Sequence, residues 1–175
     1  MMEANITQKA FSSLLQAMSR PGSVYPMPGN AMMSALHALL DNEVTCHVVG
    51  DYRLEEEIRA GTCCNMAGLE DADFIVIPCG DCGGNLSDAK RGTLDYPDKG
   101  ATVVFGVHAF GTGLRIRLRG PGIDGENVVS VDGWSADHAS ELSGINAEFP
   151  LGVDCILLDG SNVMCIPRSA RLEVL

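Results

Sequence analysis

Residues Tyr96–Gly125 read YPDKGATVVFGVHAFGTGLRIRLRGPGIDG. They hold two apolar-rich runs, Ala101–Val107 and Leu114–Arg119, separated by a Gly-rich segment, Phe110–Gly113. Two such runs across glycines predict an antiparallel hairpin. The second run alternates, so Leu114, Ile116 and Leu118 face one way and Arg115, Arg117 and Arg119 the other. Three of the chain's nine arginines thus share one face of one strand. The strand runs into Gly120-Pro121-Gly122-Ile123, where glycines around a proline set a tight turn and allow close approach of backbone or ligand. Arginines beside such a turn suit an anion. The competing reading is that they face solvent and the turn is only a turn.

Outward from this stretch, Asp73–Pro78 (DFIVIP) is a continuous apolar run, the pattern of a strand buried on both faces. Residues Gly80–Gly100 are polar and rich in Gly and Asp, with room for a short helix near Ser87–Arg91. After the central stretch come a strand over Val128–Val131, a helix over Asp137–Glu148, and a hairpin of Val153–Leu158 and Val163–Ile166. Pro167–Leu175 reads as an extended tail. At the other end, Asn5-Ile-Thr-Gln8 has the form of a capping box. It precedes a helix carrying Phe11, Leu14, Leu15 and Met18, which Arg20-Pro21-Gly22 ends. A second helix spans Ala31–Leu40, and Val44–Val49 is a strand. Asp51 caps a third helix with a Glu55–Arg59 pair. Buried strands, hairpins and interleaved helices imply an α/β layered fold with a mixed sheet.

The 175 residues fit one domain, 1–175, with 46% hydrophobic and 20% charged residues. The net charge of −11 argues against autonomous binding to nucleic acid or acidic membranes. No basic-then-apolar leader and no apolar run of spanning length is evident, so a cytoplasmic protein is expected. The seven cysteines are odd in number. Cys46, Cys155 and Cys165 lie in apolar runs and read as reduced core residues.

Cys79-Gly-Asp-Cys82, with Cys63-Cys64 upstream, is a single C-x-x-C. It admits zinc, redox and purely structural readings, and its setting favours the last: Gly83-Gly84 follow it instead of a helix start. Among the histidines, His108 ends a run just before the Gly-rich segment and is a candidate ligand contact. No phosphate loop or dinucleotide fingerprint is present; Gly111-Thr-Gly113 lies between strand runs and opens no helix. Pro167-Arg168-Ser-Ala-Arg171 offers a second arginine pair. The candidate anion or partner surface is therefore Arg117, Arg168, Arg171, Gly120, Gly122 and His108, with no metal site and no assigned catalytic residue.

Taken in order, Phe11-Ser-Ser-Leu14, Ala17-Met-Ser-Arg-Pro-Gly22, Arg91-Gly92, Tyr96-Pro97, Gly100-Ala-Thr102, Leu118-Arg-Gly-Pro-Gly-Ile123, Asn146, Phe149-Pro-Leu-Gly-Val-Asp154 and Ile166-Pro-Arg168 form a series. The series resembles the H subunit of the bacterial carbon–phosphorus lyase system, from about Phe11 to Val174. The resemblance implies a three-layer α/β/α sandwich like the large domain of pyridoxal-phosphate (PLP)-dependent transferases, without the cofactor. It also implies a homodimer that joins the G, I and J subunits. Their complex supports replacement of the adenine of ATP by a phosphonate, giving a ribose 1-phosphonate 5-triphosphate. The residues agree on the cofactor: Lys9, Lys90 and Lys99 are the only lysines, and none follows a buried strand where a Schiff base would form. Three roles are in competition: an accessory subunit of that complex, a catalytic subunit contacting ATP or phosphonate through the arginines, and a stand-alone thiol protein using Cys79 and Cys82.

Overall fold

The computed structural model describes residues 2–80 and 85–175. Helix α1 spans Met2–Ser19, β1 Tyr25–Pro26, α2 Ala31–Leu39, β2 Thr45–Val48, α3 Tyr52–Thr62, β3 Asn65–Met66 and β4 Phe74–Ile77. Short 3-10 turns at Leu86–Asp88 and Pro97–Lys99 lead to β5 (Thr102–Gly106), β6 (Ala109–Arg119) and β7 (Asn127–Asp132). Helix α4 (Ala136–Ile145) precedes β8 (Asp154–Leu158), β9 (Asn162–Ile166) and β10 (Arg171–Val174). The fold is α/β with a mixed sheet, as the patterning implied.

A seven-stranded sheet runs β1-β9-β8-β5-β4-β2-β3. Its β3, β2, β4, β5 and β8 are parallel, β9 runs antiparallel to β8, and β1 pairs antiparallel with β9. Side-chain alternation sends Val76, Val104, Ile156 and Leu158 to one core, shared with α1, α2 and α3. Ile75, Ile77, Val103, Phe105, Cys155 and Leu157 go to the other, shared with α4 and a small sheet. That small sheet, ordered β10-β6-β7, is antiparallel. One outer layer is thus helical and the other is α4 together with three strands.

The expected hairpin of Ala101–Val107 and Leu114–Arg119 does not form. Strand β5 has β4 on one flank and β8 on the other, both parallel, which leaves no edge for an antiparallel neighbour. The chain leaves the large sheet at Val107, whose N–H donates to Leu158 O, and enters the small sheet at His108, whose N–H donates to Asp132 O. The patterns differ in kind. A continuous apolar run suits a strand covered on both faces, and an alternating run suits one covered on a single face. Phe110–Gly113 is not a turn; it lies within β6 at a register shift, where Phe110 and Leu114 both align with Val131. Gly111 and Gly113, at φ +96° and +84°, supply the left-handed backbone of this bulge.

Two end assignments also change. Helix α1 includes Asn5, so the capping-box geometry is absent. The helix packs through the small residues Ala10 and Ala17 with Leu14, leaving Phe11 and Leu15 exposed. The supposed tail contributes β10, paired to β6 with Leu172 opposite Leu118. The third helix agrees with its sequence reading: Asp51 accepts from the N–H groups of Arg53 and Leu54, and Arg59 pairs with Glu55 at 3.2 Å.

Candidate functional site

The motifs far apart in sequence meet at one end of β6. Gly122 has φ +82°, and a Cβ there would collide with the carbonyl oxygen of Ser19, at the end of α1. Gly22 has φ +81°, and its Cβ would press on Asn127 Nδ2 and Leu118. Asn127 Nδ2 donates to Pro21 O at 3.3 Å, and the Gly22 N–H donates to Cys165 O. The Gly-Pro-Gly turn and the Arg-Pro-Gly turn are therefore packed backbone to backbone. Gly120 approaches Ser169 O and Ala170 in the same way, which brings the Pro167–Arg171 segment alongside.

Arg168 is the hub of that segment. Its Nη2 and Nε reach Asp154 Oδ2 at 2.6 and 3.1 Å, and its backbone N–H donates to Asp154 Oδ1 at 2.8 Å. Nη1 donates to Pro97 O at 2.5 Å and Nη2 to Gly100 O at 3.3 Å. Gly100 must be glycine for this, because a Cβ would lie within 2.5 Å of Arg168 Nη1. Only 14% of the Arg168 side chain remains exposed. One guanidinium thus ties the start of β8 to the 97–100 turn and the end of β9. Asn146 makes a comparable clamp: its Oδ1 accepts from Val153 N–H and its Nδ2 donates to Val153 O.

The small sheet's outer face carries the other arginines, as the alternation predicted, with Ile116 and Leu118 fully buried beneath. Arg117 Nη1 donates to Glu173 at 2.8 Å, and its Nε lies 3.4 Å from Glu126 without hydrogen-bond geometry. Hydrogen bonding to Glu173 is the main reason the Arg117 guanidinium holds its proton more firmly than usual. Arg119 pairs with Glu126 at 2.6 Å. That bond outweighs the opposing desolvation and holds the Glu126 carboxyl below its ordinary pKa. Arg171 has no ion-pair partner among the described residues. It borders an open cleft of about 460 Å³, whose other walls include Ser143, Asn146 and Phe149.

His108 stands apart. It lies at the opposite end of β6 from Gly120. It is exposed and 3.7 Å from Asp132. The structure thus brings Arg168, Arg171, Gly120 and Gly122 together, sets Arg117 on the adjoining outer face and leaves His108 remote. Residue patterns alone did not show Asp154, Glu126 and Glu173 as the carboxylates that engage the arginines. Of the cysteines, Cys79 is disulfide-bonded and Cys82 lies outside the described residues. Among the described residues no group of three or more His, Cys, Asp or Glu could hold a metal ion, and no helix is long and apolar enough to cross a membrane.

The likeness to known proteins covers almost the whole chain. Residues 2–173 match the family model described as bacterial phosphonate metabolism protein (PhnH). A protein of Stutzerimonas stutzeri named as a putative C-P lyase subunit, HtxG, is 35% identical over 176 residues, covering 95% of this chain and 86% of the relative. A subunit of Rhizobium meliloti (strain 1021), named alpha-D-ribose 1-methylphosphonate 5-triphosphate synthase subunit PhnH, is 35% identical over 82 residues, covering 47% of this chain and 41% of that protein. The turns and clamps described above lie within the matched span, and the chain belongs to the bacterial phosphonate metabolism protein (PhnH) family.

Proposed function

We propose that this chain is an accessory subunit of a carbon–phosphorus lyase complex in phosphonate utilisation. It would support transfer of an alkylphosphonate to the ribose of ATP with displacement of adenine. The observation that carries the accessory role is what the motif residues do. Arg168, Asp154, Asn146, Gly100, Gly120 and Gly122 hold segments of the fold together; they do not converge unengaged acid, base or nucleophile groups on an opening. The subunit role is supported by the names of the relatives and by the uncovered apolar stretch of α1. There Phe11 and Leu15 are 46% and 56% exposed, beside a groove of about 220 Å³ lined by Met18, Leu39, Phe74 and Ile156.

The G, I and J subunits as partners, the homodimer, the cytoplasmic location and the kinship with PLP-dependent transferases belong to the same proposal. Parallel strands between two covering layers are compatible with that kinship. Binding of PLP is not part of it, because the lysines do not fit. Lys90 Nζ is held by Asp73 Oδ1 at 2.5 Å, beside the first residue of β4. That is the end of the parallel sheet away from the strand carboxyl termini, where ligands of such sheets sit. Lys9 and Lys99 are exposed.

The test is co-purification of the tagged chain with G, I and J subunits, followed by adenine release from ATP and methylphosphonate with and without it. Co-purification, with adenine release abolished only when the chain is omitted and retained in variants of the cleft residues Ser143 and Phe149, supports the accessory role. Failure to co-purify refutes it. Loss of adenine release from an intact complex carrying the cleft variants would favour the catalytic alternative.

A further inference from the structure

The outer face of the three-stranded sheet breaks a local rule. Arg171 on β10 lies directly opposite Arg119 on β6. Leu172 and Leu118, the next pair along, are both buried, so the two arginines point together to the outer side. Residues directly opposite in an antiparallel pair have Cβ atoms about 5 Å apart, and like charges there are destabilising. Arg119 has Glu126 on its far side, whereas Arg171 has no carboxylate among the described residues. Next along the face, Glu173 sits opposite Arg117, Arg117 opposite Val128, and Arg115 opposite Ser130. This stretch therefore carries four arginines against Glu126 and Glu173, around an exposed Val128, on a chain of net charge −11. No lysine is among them. Arginine is the cation enriched at protein interfaces, and its planar fork engages carboxylates two bonds at a time.

We infer that this face, centred on Arg171, Arg119, Arg115 and Val128, docks an acidic segment of a partner protein. Three strands make a platform about 14 Å wide. Arg115, Arg119, Val128 and Arg171 stand exposed across it, and a small-molecule site would enclose most of its ligand. Its underside is core, so the arginines are mounted on a rigid support. The charge balance gives orientation as well as attraction. An acidic partner is repelled by most of this molecule and attracted here, which favours one docking geometry over others. The partner's carboxylates would relieve the Arg119–Arg171 repulsion, which within the chain Glu126 offsets only from the Arg119 side.

The inference rests on the subunit role proposed above, and the test separates the two. The tagged parent and an Arg171→Glu variant are each co-expressed with G, I and J subunits, and capture is measured across a salt titration. Arg53→Glu, a charge reversal on α3, is the control. The expected result is capture of the partners by the parent and the control, weakened by salt, and about tenfold weaker capture by Arg171→Glu. The melting temperature of Arg171→Glu should be equal to or above the parent's, because a glutamate now faces Arg119. That combination is one a merely structural arginine would not give. A lowered melting temperature would make Arg171 structural and overturn the inference. Unchanged capture by Arg171→Glu would overturn it while leaving the subunit role intact; no capture by the parent would overturn both. If inorganic triphosphate stabilises the parent but not Arg171→Glu, with capture unchanged, the face is a small-anion site and the docking inference is wrong.

Discussion

Replacing Arg168 by alanine should test whether the Pro167–Arg171 motif is a clamp or a contact. The guanidinium makes two bonds to Asp154 and one each to the carbonyls of Pro97 and Gly100. Breaking a fully buried ion pair costs ~3–5 kcal/mol. Here 14% of the arginine side chain and 24% of the aspartate remain exposed. Water can therefore reach the abandoned carboxylate, and the Arg168 N–H still donates to it. The two carbonyls lose a partner in a half-buried setting, each a modest penalty. The net expectation is about 2–3 kcal/mol. At ~2–4 °C per kcal/mol for a chain of this size, the melting temperature should fall by about 5–10 °C. Arg168→Lys should lie between the two, since an ammonium keeps the charge but cannot fork across Asp154 and two carbonyls. Urea and thermal unfolding measure the loss. An Arg168→Ala protein that melts with the parent yet no longer assembles or supports adenine release would refute the clamp and make Arg168 a functional contact.

Other perturbations follow from the same geometry. Gly122→Ala should be destabilised by more than the ~1–2 kcal/mol of a left-handed alanine, because its Cβ also meets Ser19 O; unfolding at the parent's midpoint would contradict this. At Asp73, burial acts to raise the carboxyl pKa, but the hydrogen bonds from Lys90 and Thr45 outweigh it and hold the group below its ordinary range. The stability it contributes is present in full above the unfolded value of about 3.9 and is lost as pH falls through the lower folded value. The gap between parent and Asp73→Asn should therefore close below about pH 4, and a gap constant with pH would count against it. Burial pushes the Cys46 thiol up to about 12 and raises Cys155 and Cys165 as well, whereas Cys63 is exposed. Alkylation of the native protein at pH 8, mapped by peptide, should mark Cys63 and spare those three until unfolding; early labelling of Cys155 would refute the packing of β8.

What was legible in the sequence was local. The DFIVIP run, the alternation of Leu114–Arg119 and the Asp51 cap each express a pattern within a few residues, and each is found in place. What failed was connection. Nothing between Val107 and Ala109 signals that the chain changes sheets, because the event is set by β8 arriving on the far flank of β5, about fifty residues later. The glycines at 111 and 113 have the composition of a turn, and a bulge inside a long strand uses the same left-handed backbone. Helix α1 misled in another way. Of Phe11, Leu14, Leu15 and Met18 only Leu14 is buried, and Ala10 and Ala17 carry the contact with it because small side chains let a helix approach a sheet closely.

The arginines sort into two kinds that residue type alone cannot separate. Arg168 and Arg117 sit among groups placed by distant segments to receive them: Asp154 from β8, Glu173 from β10, carbonyls from the 97–100 turn. For these the interaction is complete within the chain, and adding an outside anion would mean competing with a carboxylate already at hydrogen-bond distance. Arg171 is held in place by the β10–β6 register without an ion-pair partner among the described residues, opposite an Arg119 that Glu126 already engages. The register is fixed by Leu172 and Leu118 going inward, since a slip of one residue would expose both leucines. The like-charge pair is thus a consequence that the fold tolerates and neutralises only on the Arg119 side, through Glu126. An anionic group from outside meets least internal competition at Arg171. A contact surface therefore suits the plainer β10 strand better than the more prominent Arg168 motif beside it.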